Sequence, residues 1–352
     1  MLETAIRPLD DRSAFLSGWA ALYERCDSQK FFNSPAWMSA WLSGAPDDAA
    51  LYMIEGMRGG ALMLLGAFTV RRRQPPLLGL REVWFRETGS AAHDDVYVEY
   101  NDFLIAPDAP GETRNGAVCA MLDTNSGMDA CVFRNTTPDM SHAVRACAIE
   151  RRLAHRVLNE QPVFVCNLQK GDILAGLSKS LQTKIKRAMR LYEERGPLSV
   201  RTVAGGESEF EHVWRKLVAL HGSRWGAQSV FDNQRLLSFH ERLRESSPGA
   251  LHLFEVKAGD ETIAVLYNFA HGERVMNYQS GFMYESDNRL TPGFLAHVMA
   301  AQHYADAGYK IYDLLAGEAD YKKRLGVRET VLTSLVIERP TWRNHLRNMM
   351  KR

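Results

Sequence analysis

Two periodicities organise the chain. Apolar residues at Leu174, Leu177, Leu181, Ile185, Ala188 and Tyr192 recur every three or four positions, which predicts one amphipathic helix within residues 172–194. Its remaining faces carry Lys179, Lys184, Lys186, Arg187 and Arg190, so it is either a solvated surface helix or a rim that attracts an anion. Beyond it, Leu198 to Val203 reads as a β-branched strand. Ser208 to Trp225 and Asn233 to Glu245 read as helices, the first with a capping box at Ser208 and Glu211. Leu251 to Lys257, Thr262 to Ala270 and Arg274 to Met283 predict a meander that turns at Gly259-Asp260 and His271-Gly272. Thr291 and Pro292 open a helix ended by Gly308, followed by a strand at Lys310 to Ala316, a short helix at Asp320 to Leu325 and a strand at Val331 to Glu338. The order is β-α-α-β-β-β-α-β-α-β, before a basic tail helix.

The first half repeats this alternation less legibly. Thr4 to Leu9 predicts a strand, Arg12 to Glu24 a helix, and Ser34 to Leu42 a helix with Pro35 in its first turn. Strands follow at Leu51 to Glu55 and Ala61 to Val70, hinged on Gly59-Gly60. After a loop-rich stretch come a strand near Val96 to Ile105, a helix at Glu112 to Leu122, a strand at Ala130 to Arg134 and a helix at Met140 to Leu153. The fold class expected is mixed α/β (α+β) in two tandem domains, residues 1–168 and 169–352, the second opened by the basic connector helix 172–194.

Composition narrows the picture. A chain of 352 residues, 45% hydrophobic and 24% charged, has room for two cores and is not a disordered chain. A net charge of +1 argues against a generic DNA or RNA coat. The balance conceals an asymmetry: residues 1–168 hold 16 basic and 21 acidic side chains, against 27 and 21 in the remainder. Five cysteines, with no C-x-x-C pair and none after Cys166, read as reduced buried thiols. The start MLETAIRPLDDR lacks an apolar leader, and the longest apolar run, Ala61 to Val70, is about half the ~20 residues a membrane helix needs. A cytoplasmic protein is expected; nothing in the sequence sets its oligomeric state. No G-x-S-x-G elbow, Walker loop, dinucleotide fingerprint or H-E-x-x-H pair is present, which sets aside hydrolase, kinase and dehydrogenase chemistry. His93, Asp94 and Asp95 are consecutive and point apart, so no metal is assigned.

The element order, together with Arg289 to Gly326 (RLTPGFLAHVMAAQHYADAGYKIYDLLAGEADYKKRLG), resembles the acetyltransferase fold of the GNAT superfamily. More narrowly, FFNSPAWMSAWL (Phe31 to Leu42), YNDFLIAP (Tyr100 to Pro107) and the G-E-x-x-Y-K stretch Gly317, Glu318, Tyr321, Lys322 are similar to a tandem-domain branch. That branch includes cellulose-biosynthesis-associated acetyltransferases and is related to the Fem-type aminoacyl transferases. The resemblance implies an acyl-CoA co-substrate, most simply acetyl-CoA. It also implies two strands, around Gln279 and Asp313, that splay to receive the pantetheine arm. One departure stands out: where the superfamily carries a Q/R-x-x-G-x-G/A signature, this chain reads NRLTPG (Asn288 to Gly293), with a single glycine.

Under that resemblance Arg289, Leu290, Thr291, Pro292, Gly293 and Phe294 form the pyrophosphate-binding helix start, although Thr-Pro-Gly is equally an ordinary N-cap. The backbone at Gln279, Ser280 and Gly281 polarises the thioester carbonyl. Asp313, a carboxylate amid Ile311, Tyr312, Leu314 and Leu315, is either a structural acid or a general base, with Glu318 a second base. Tyr321 is either the acid that protonates the thiolate or a packing ring. Asn277 shares a face with Gln279 by alternation, and Lys322, Arg224 and Trp225 are candidates for the acceptor pocket, Trp225 being equally a core residue. The expected function is N-acylation of an amino sugar or other small amine by direct attack, in polysaccharide or envelope assembly. Two rival readings stand beside it: a Fem-like transfer from charged tRNA landing on Lys179 to Arg190, and a non-catalytic scaffold. In the tail, Trp342, Leu346 and Met350 beside Arg343, Arg347, Lys351 and Arg352 suit either a capping helix or weak contact with an anionic membrane surface.

Overall fold

The computed structural model describes residues 2–26, 30–46, 49–72 and 79–350; Lys351 and Arg352 of the tail lie outside this range. Two compact units result, one built from residues 1–161 with 331–352, the other from 162–330. The exchange of the carboxy-terminal segment departs from the chain-order division at residue 168.

The first unit contains β1 (Glu3–Pro8), α1 (Arg12–Tyr23), α2 (Pro35–Gly44), β2 (Ala50–Arg58), β3 (Ala61–Arg72), β4 (Arg81–Phe85), α3 (Ala91–Asp94), β5 (Leu104–Ile105), α4 (Thr113–Thr124), β6 (Ala130–Thr136) and α5 (Pro138–Glu150). Strand β7 (Ala154–Asn167) begins in it and enters the second unit at Pro162. The helices start where the sequence provides caps. Ser34 Oγ accepts from Trp37 N at 3.2 Å and Thr137 Oγ1 from Met140 N at 3.2 Å, each with a proline at the next position.

In the second unit α6 (Lys179–Glu193), β8 (Leu198–Ala204), α7 (Phe210–Trp225), α8 (Gln234–Ser246), β9 (Leu251–Ala258), β10 (Glu261–His271), β11 (Arg274–Phe282), α9 (Pro292–Asp306), β12 (Ile311–Ala316) and α10 (Asp320–Leu325) follow one another. Strand β13 (Val327–Glu338) then leads back into the first unit, where α11 (Trp342–Met350) also lies. Strand order is β1-β2-β3-β4-β6-β13 in the first unit and β7-β12-β11-β10-β9-β8 in the second. Each is antiparallel except at one junction, β4 with β6 and β11 with β12, which are parallel. The mixed, mainly antiparallel architecture flanked by helices is the one expected.

The α6 stripe does its predicted work. Leu181, Ile185 and Tyr192 are fully buried and share a core with Leu295 and Val298 of α9 and Phe254 and Val256 of β9. Each such aliphatic burial stabilises by roughly 1.5–3 kcal/mol. Leu174 and Leu177 precede the helix, which starts after Ser178, yet pack on the same core. Other expectations need correction. Strands β4 and β7 had no clear alternating signal. The strand foreseen at Val96 to Ile105 shrinks to β5, because Tyr97 and Tyr100 adopt left-handed φ of 43° and 50°. No box forms at Ser208 and Glu211, since α7 starts only at Phe210 and its cap makes no side-chain bond. The tail helix is tied within the first unit: Asn344 Nδ2 donates to Asp129 O at 2.6 Å and Thr341 Oγ1 to Asp129 Oδ1 at 2.6 Å. Cys119 and Cys147, expected as free thiols, form a disulfide with Cα atoms 5.6 Å apart, because α4 packs against α5. Among the described residues no helix is long and apolar enough to cross a membrane.

Helix α7 crosses β11 at Gly281, where a Cβ would stand 2.8 Å from Leu217 O and 2.9 Å from Leu220 Cβ. Gly281→Ala is therefore expected to destabilise the protein by about 1–3 kcal/mol in urea unfolding. Gly222→Ala, where a Cβ meets nothing within 4 Å, gains helix propensity and leaves stability equal or higher. Equal midpoints for Gly281→Ala and wild type would show that this crossing is not tight.

Candidate active site

Strands β11 and β12 begin as neighbours and then part. They pair at Arg274↔Ile311, Val275↔Tyr312 and Met276↔Asp313, and no later position of either strand is in register with the other. The divergence is built into β12. On its other side β12 pairs with β7 at Asp313↔Val165 and next at Ala316↔Val163, so one extra residue is accommodated in a bulge. Within it Leu315 has φ 59°, a left-handed conformation that a branched side chain adopts only under constraint, and Gly317 follows at φ 132°.

Two buried charges hold that bend. Asp313 is fully buried; its Oδ1 accepts from the Leu315 amide at 2.8 Å, and its Oδ2 from Arg274 at 2.7 Å, which also forks onto Glu329. Lys322, from α10, donates to the carbonyls of Leu315 at 3.2 Å and Ala316 at 2.6 Å. The carboxylate binds the amide of the strained residue and the ammonium binds its carbonyl. Both charges thus lie where the sequence placed a base and a substrate-binding cation, bonded to the bend of the strand.

Beside the opening, the Tyr321 ring stacks on His297, with centroids 4.9 Å apart and planes 9° from parallel. Burial, helped by the nearby Lys322 charge, holds the His297 imidazole down at about 3, so it is neutral; its Nδ1 lies 3.0 Å from the Tyr312 hydroxyl. His297 was missed because a single histidine in an apolar helix carries no motif. Glu318 is exposed and pairs with Lys323 at 3.1 Å.

A bulge in β11 changes the expected facing of its side chains. Asn268 pairs with Asn277 and Tyr267 with Gln279, leaving Tyr278 as the extra residue. Asn277 consequently turns to the α9 side, bonding Asn268 at 2.9 Å and Ser280 at 3.1 Å, whereas Gln279 lies opposite Tyr267 on the α7 side. The shared face foreseen for Asn277 and Gln279 does not exist, because strict alternation assumes an unbroken strand.

The start of α9 faces a basic surround. Phe294 is flanked by Lys184 Nζ at 4.9 Å and the Arg324 guanidinium at 5.1 Å. Arg289 forks onto Asp287 at 2.7–3.0 Å, an exposed pair that holds the carboxyl down at about 2. Leu290 is buried, and Gly293 lies against Phe282. Thr291 makes no side-chain cap, and its Oγ1 is buried without a hydrogen-bond partner. A helix N-terminus with an unspent hydroxyl and cations around it has the chemistry to receive an anion. At the end of α7, Trp225 is 47% exposed, so it is not core, and carries Arg224 at 5.3 Å over its ring.

The parallel junction of the first unit is filled. Strands β4 and β6 pair up to Trp84↔Val132. Beyond that point Asn101 lies between their ends, donating to Phe85 O at 3.2 Å, Arg134 O at 3.1 Å and, from its amide, Asn135 O at 2.9 Å. Nearby, Glu87 is 3% exposed with Arg134 Nε at 3.5 Å, and burial pushes its carboxyl up to about 8.

Residues 179–323 match the family model of the acetyltransferase (GNAT) domain, and the splayed strands β11 and β12 lie within that span. Over 96% of its length the chain superimposes on FemX, covering 98% of that protein, with 12% identity and a TM-score of 0.60. It is similar, across 96% of itself and 100% of the other chain, to a tandem GNAT protein from the clavulanic acid biosynthesis pathway (12% identity, TM-score 0.55). The C-terminal domain of a putative lysylphosphatidylglycerol synthetase from Agrobacterium fabrum shares the fold at 10% identity and TM-score 0.54, covering 96% of this chain and 95% of that one. No curated protein compared with the chain matches it significantly.

Two measurements probe these clusters. Asp313→Asn removes a buried charge from Arg274 and should cost about 3 kcal/mol in urea; an unchanged midpoint would show that Asp313 does not hold the bend. Glu87 is protonated in the folded protein between pH 4.5 and about 8 but ionised when unfolded, so wild-type stability falls as pH rises through that window. Glu87→Gln should match wild type at pH 4 and melt at a higher temperature at pH 8, and equal melting at both would contradict the buried neutral acid.

Proposed function

We propose that the protein is an acyl-CoA-dependent N-acyltransferase, with acetyl-CoA as donor and a small amine or amino sugar as acceptor. The observation that carries this reading is the interrupted β11/β12 pairing beside a helix start whose Thr291 hydroxyl is buried and unpartnered. The residues fit the coenzyme in kind: amides and hydroxyl at Thr291 to Phe294 for the pyrophosphate, with Lys184, Arg289 and Arg324 as counter-charges. When bound, it supplies the acyl group as a thioester.

This chain's residues do the rest. Backbone amides between Gln279 and Gly281 are the proposed donors to the carbonyl oxygen, at the strand edge that β12 leaves open. Tyr321, set by its stack on His297, is the proposed proton donor to the departing sulfur. Glu318 is the proposed base for the acceptor ammonium. Asp313 and Lys322 act as positioning residues, since both are engaged by the bend. Trp225 and Arg224 form the rim for the acceptor, and attack is direct, with no covalent enzyme intermediate.

A Fem-like transfer from charged tRNA is the second reading, favoured by the whole-chain likeness to FemX and by the cationic residues of α6. It requires RNA binding that weakens steeply with salt.

Calorimetric titration separates the readings. Acetyl-CoA should bind with micromolar affinity, reduced about tenfold by the pair of substitutions Lys184→Ala and Arg289→Ala, each of which removes a phosphate-directed charge. Tyr321→Phe should lower turnover about 100-fold at unchanged coenzyme affinity. Absence of binding by any acyl-CoA, with charged tRNA bound in low salt, would replace this reading with the second.

A further inference from the structure

The first unit carries a side-chain cluster that the acyl-transfer reading does not use. Helices α4 and α5 pack side by side, with Cys119 on the first and Cys147 and Glu150 on the second. Cys147 and Glu150 are three positions apart and therefore share one face of α5. The two sulfurs and one carboxylate oxygen lie within 4.8 Å of one another, and Cys119 Sγ stands 4.0 Å from Glu150 Oε2. Among the described residues this is the one group of three or more His, Cys, Asp or Glu side chains drawn so closely together.

Donor types and spacing suit one class of cation. Around a tetrahedral Zn2+ a thiolate sulfur at about 2.3 Å and a carboxylate oxygen at about 2.1 Å stand about 3.6 Å apart. The 4.0 Å between Cys119 and Glu150 is a small side-chain adjustment from that separation. Two sulfur donors favour zinc over calcium or magnesium, which take oxygen ligands. Glu150 is already oriented: Arg151 pairs with its Oε1 at 3.0 Å and forks onto Asp123 at 2.7 Å, while Oε2 faces Cys119. Partners of this kind fix a ligating carboxylate. The Glu150 side chain is 70% exposed and Cys119 is partly buried, so an ion reaches the cluster from solvent, and water completes its fourth position.

The two sulfurs are joined in the structure, which makes the pair a gate. A dithiol reductant delivers two electrons to the S–S bond and leaves as its own disulfide, while the cysteines are released as thiols. Freed of the bond, the sulfurs can part and admit the ion between them, each thiol giving up its proton to solvent as it ligates. We infer that the reduced protein binds one Zn2+ through Cys119, Cys147 and Glu150, and that the Cys119–Cys147 disulfide excludes it. Helices α4 and α5 are then linked in both states, by a covalent bond when oxidised and by the ion when reduced. The site belongs to the first unit and does not depend on the acyl-transfer reading.

The test titrates Co2+ and then Zn2+ into full-length protein that has been reduced and freed of metal under nitrogen. Cobalt should develop thiolate-to-metal charge-transfer absorption that saturates at one ion per chain and is bleached by stoichiometric Zn2+. Cys119→Ser should lose this absorption with its far-ultraviolet circular dichroism unchanged. Glu150→Gln, on the surface, should keep the absorption and bind Zn2+ at least about tenfold more weakly. Protein held as the disulfide should bind neither ion. The inference is overturned by reduced wild type that shows no saturable charge-transfer band, by the same band in Cys119→Ser, by unchanged Zn2+ affinity in Glu150→Gln, or by equal affinity in the disulfide form.

Discussion

The second unit depends on one backbone conformation: Leu315 held at positive φ in the β12 bulge, just past the end of its parallel pairing with β11. A branched residue there costs of order 1–3 kcal/mol, and it persists because buried groups over-determine it. Asp313 binds its amide, Lys322 its carbonyl, and the β12 bulge against β7 absorbs the extra residue. Arg274 neutralises Asp313, and Glu329 in turn bonds Arg274. Removing one member leaves another buried and uncompensated, so the opening between β11 and β12 is part of the folded state and needs no ligand to form.

The first unit shows what happens without that device. Its parallel strands β4 and β6 also stop pairing early, but the inserted segment ending at Asn101 supplies the missing hydrogen bonds. The same topology is thereby made continuous in one unit and left open in the other. That difference is why the proposed chemistry is placed in the second unit.

Much of the architecture was legible because it rests on local signals. The α6 stripe, the β9 to β11 meander and the Pro-led starts of α2 and α9 are periodicity and turn chemistry, and the order from α6 to α10 follows from them. Strand β7 escaped because residues 154–160 are exposed and carry no alternation. The surroundings of the candidate residues were less legible. Asp313 stood out as a carboxylate in an apolar strand, but its partner Arg274 is 39 positions away and nothing local announces the pairing. Tyr278 forms a bulge that only the register with β10 reveals, and so Asn277 and Gln279 were assigned to one face. His297 matters through its stacking on Tyr321 and its burial, which a single sequence does not display.

The proposed chemistry requires the coenzyme to lie in the opening between β11 and β12. Amide hydrogen exchange, followed by mass spectrometry with and without saturating acetyl-CoA, tests this directly. Peptides spanning Asn277 to Phe282, Leu290 to Leu295 and Leu314 to Ala316 should gain protection together, with little change in β8, β9 or the first unit. Unchanged exchange in these three segments, or protection confined to some other part of the chain, would contradict it.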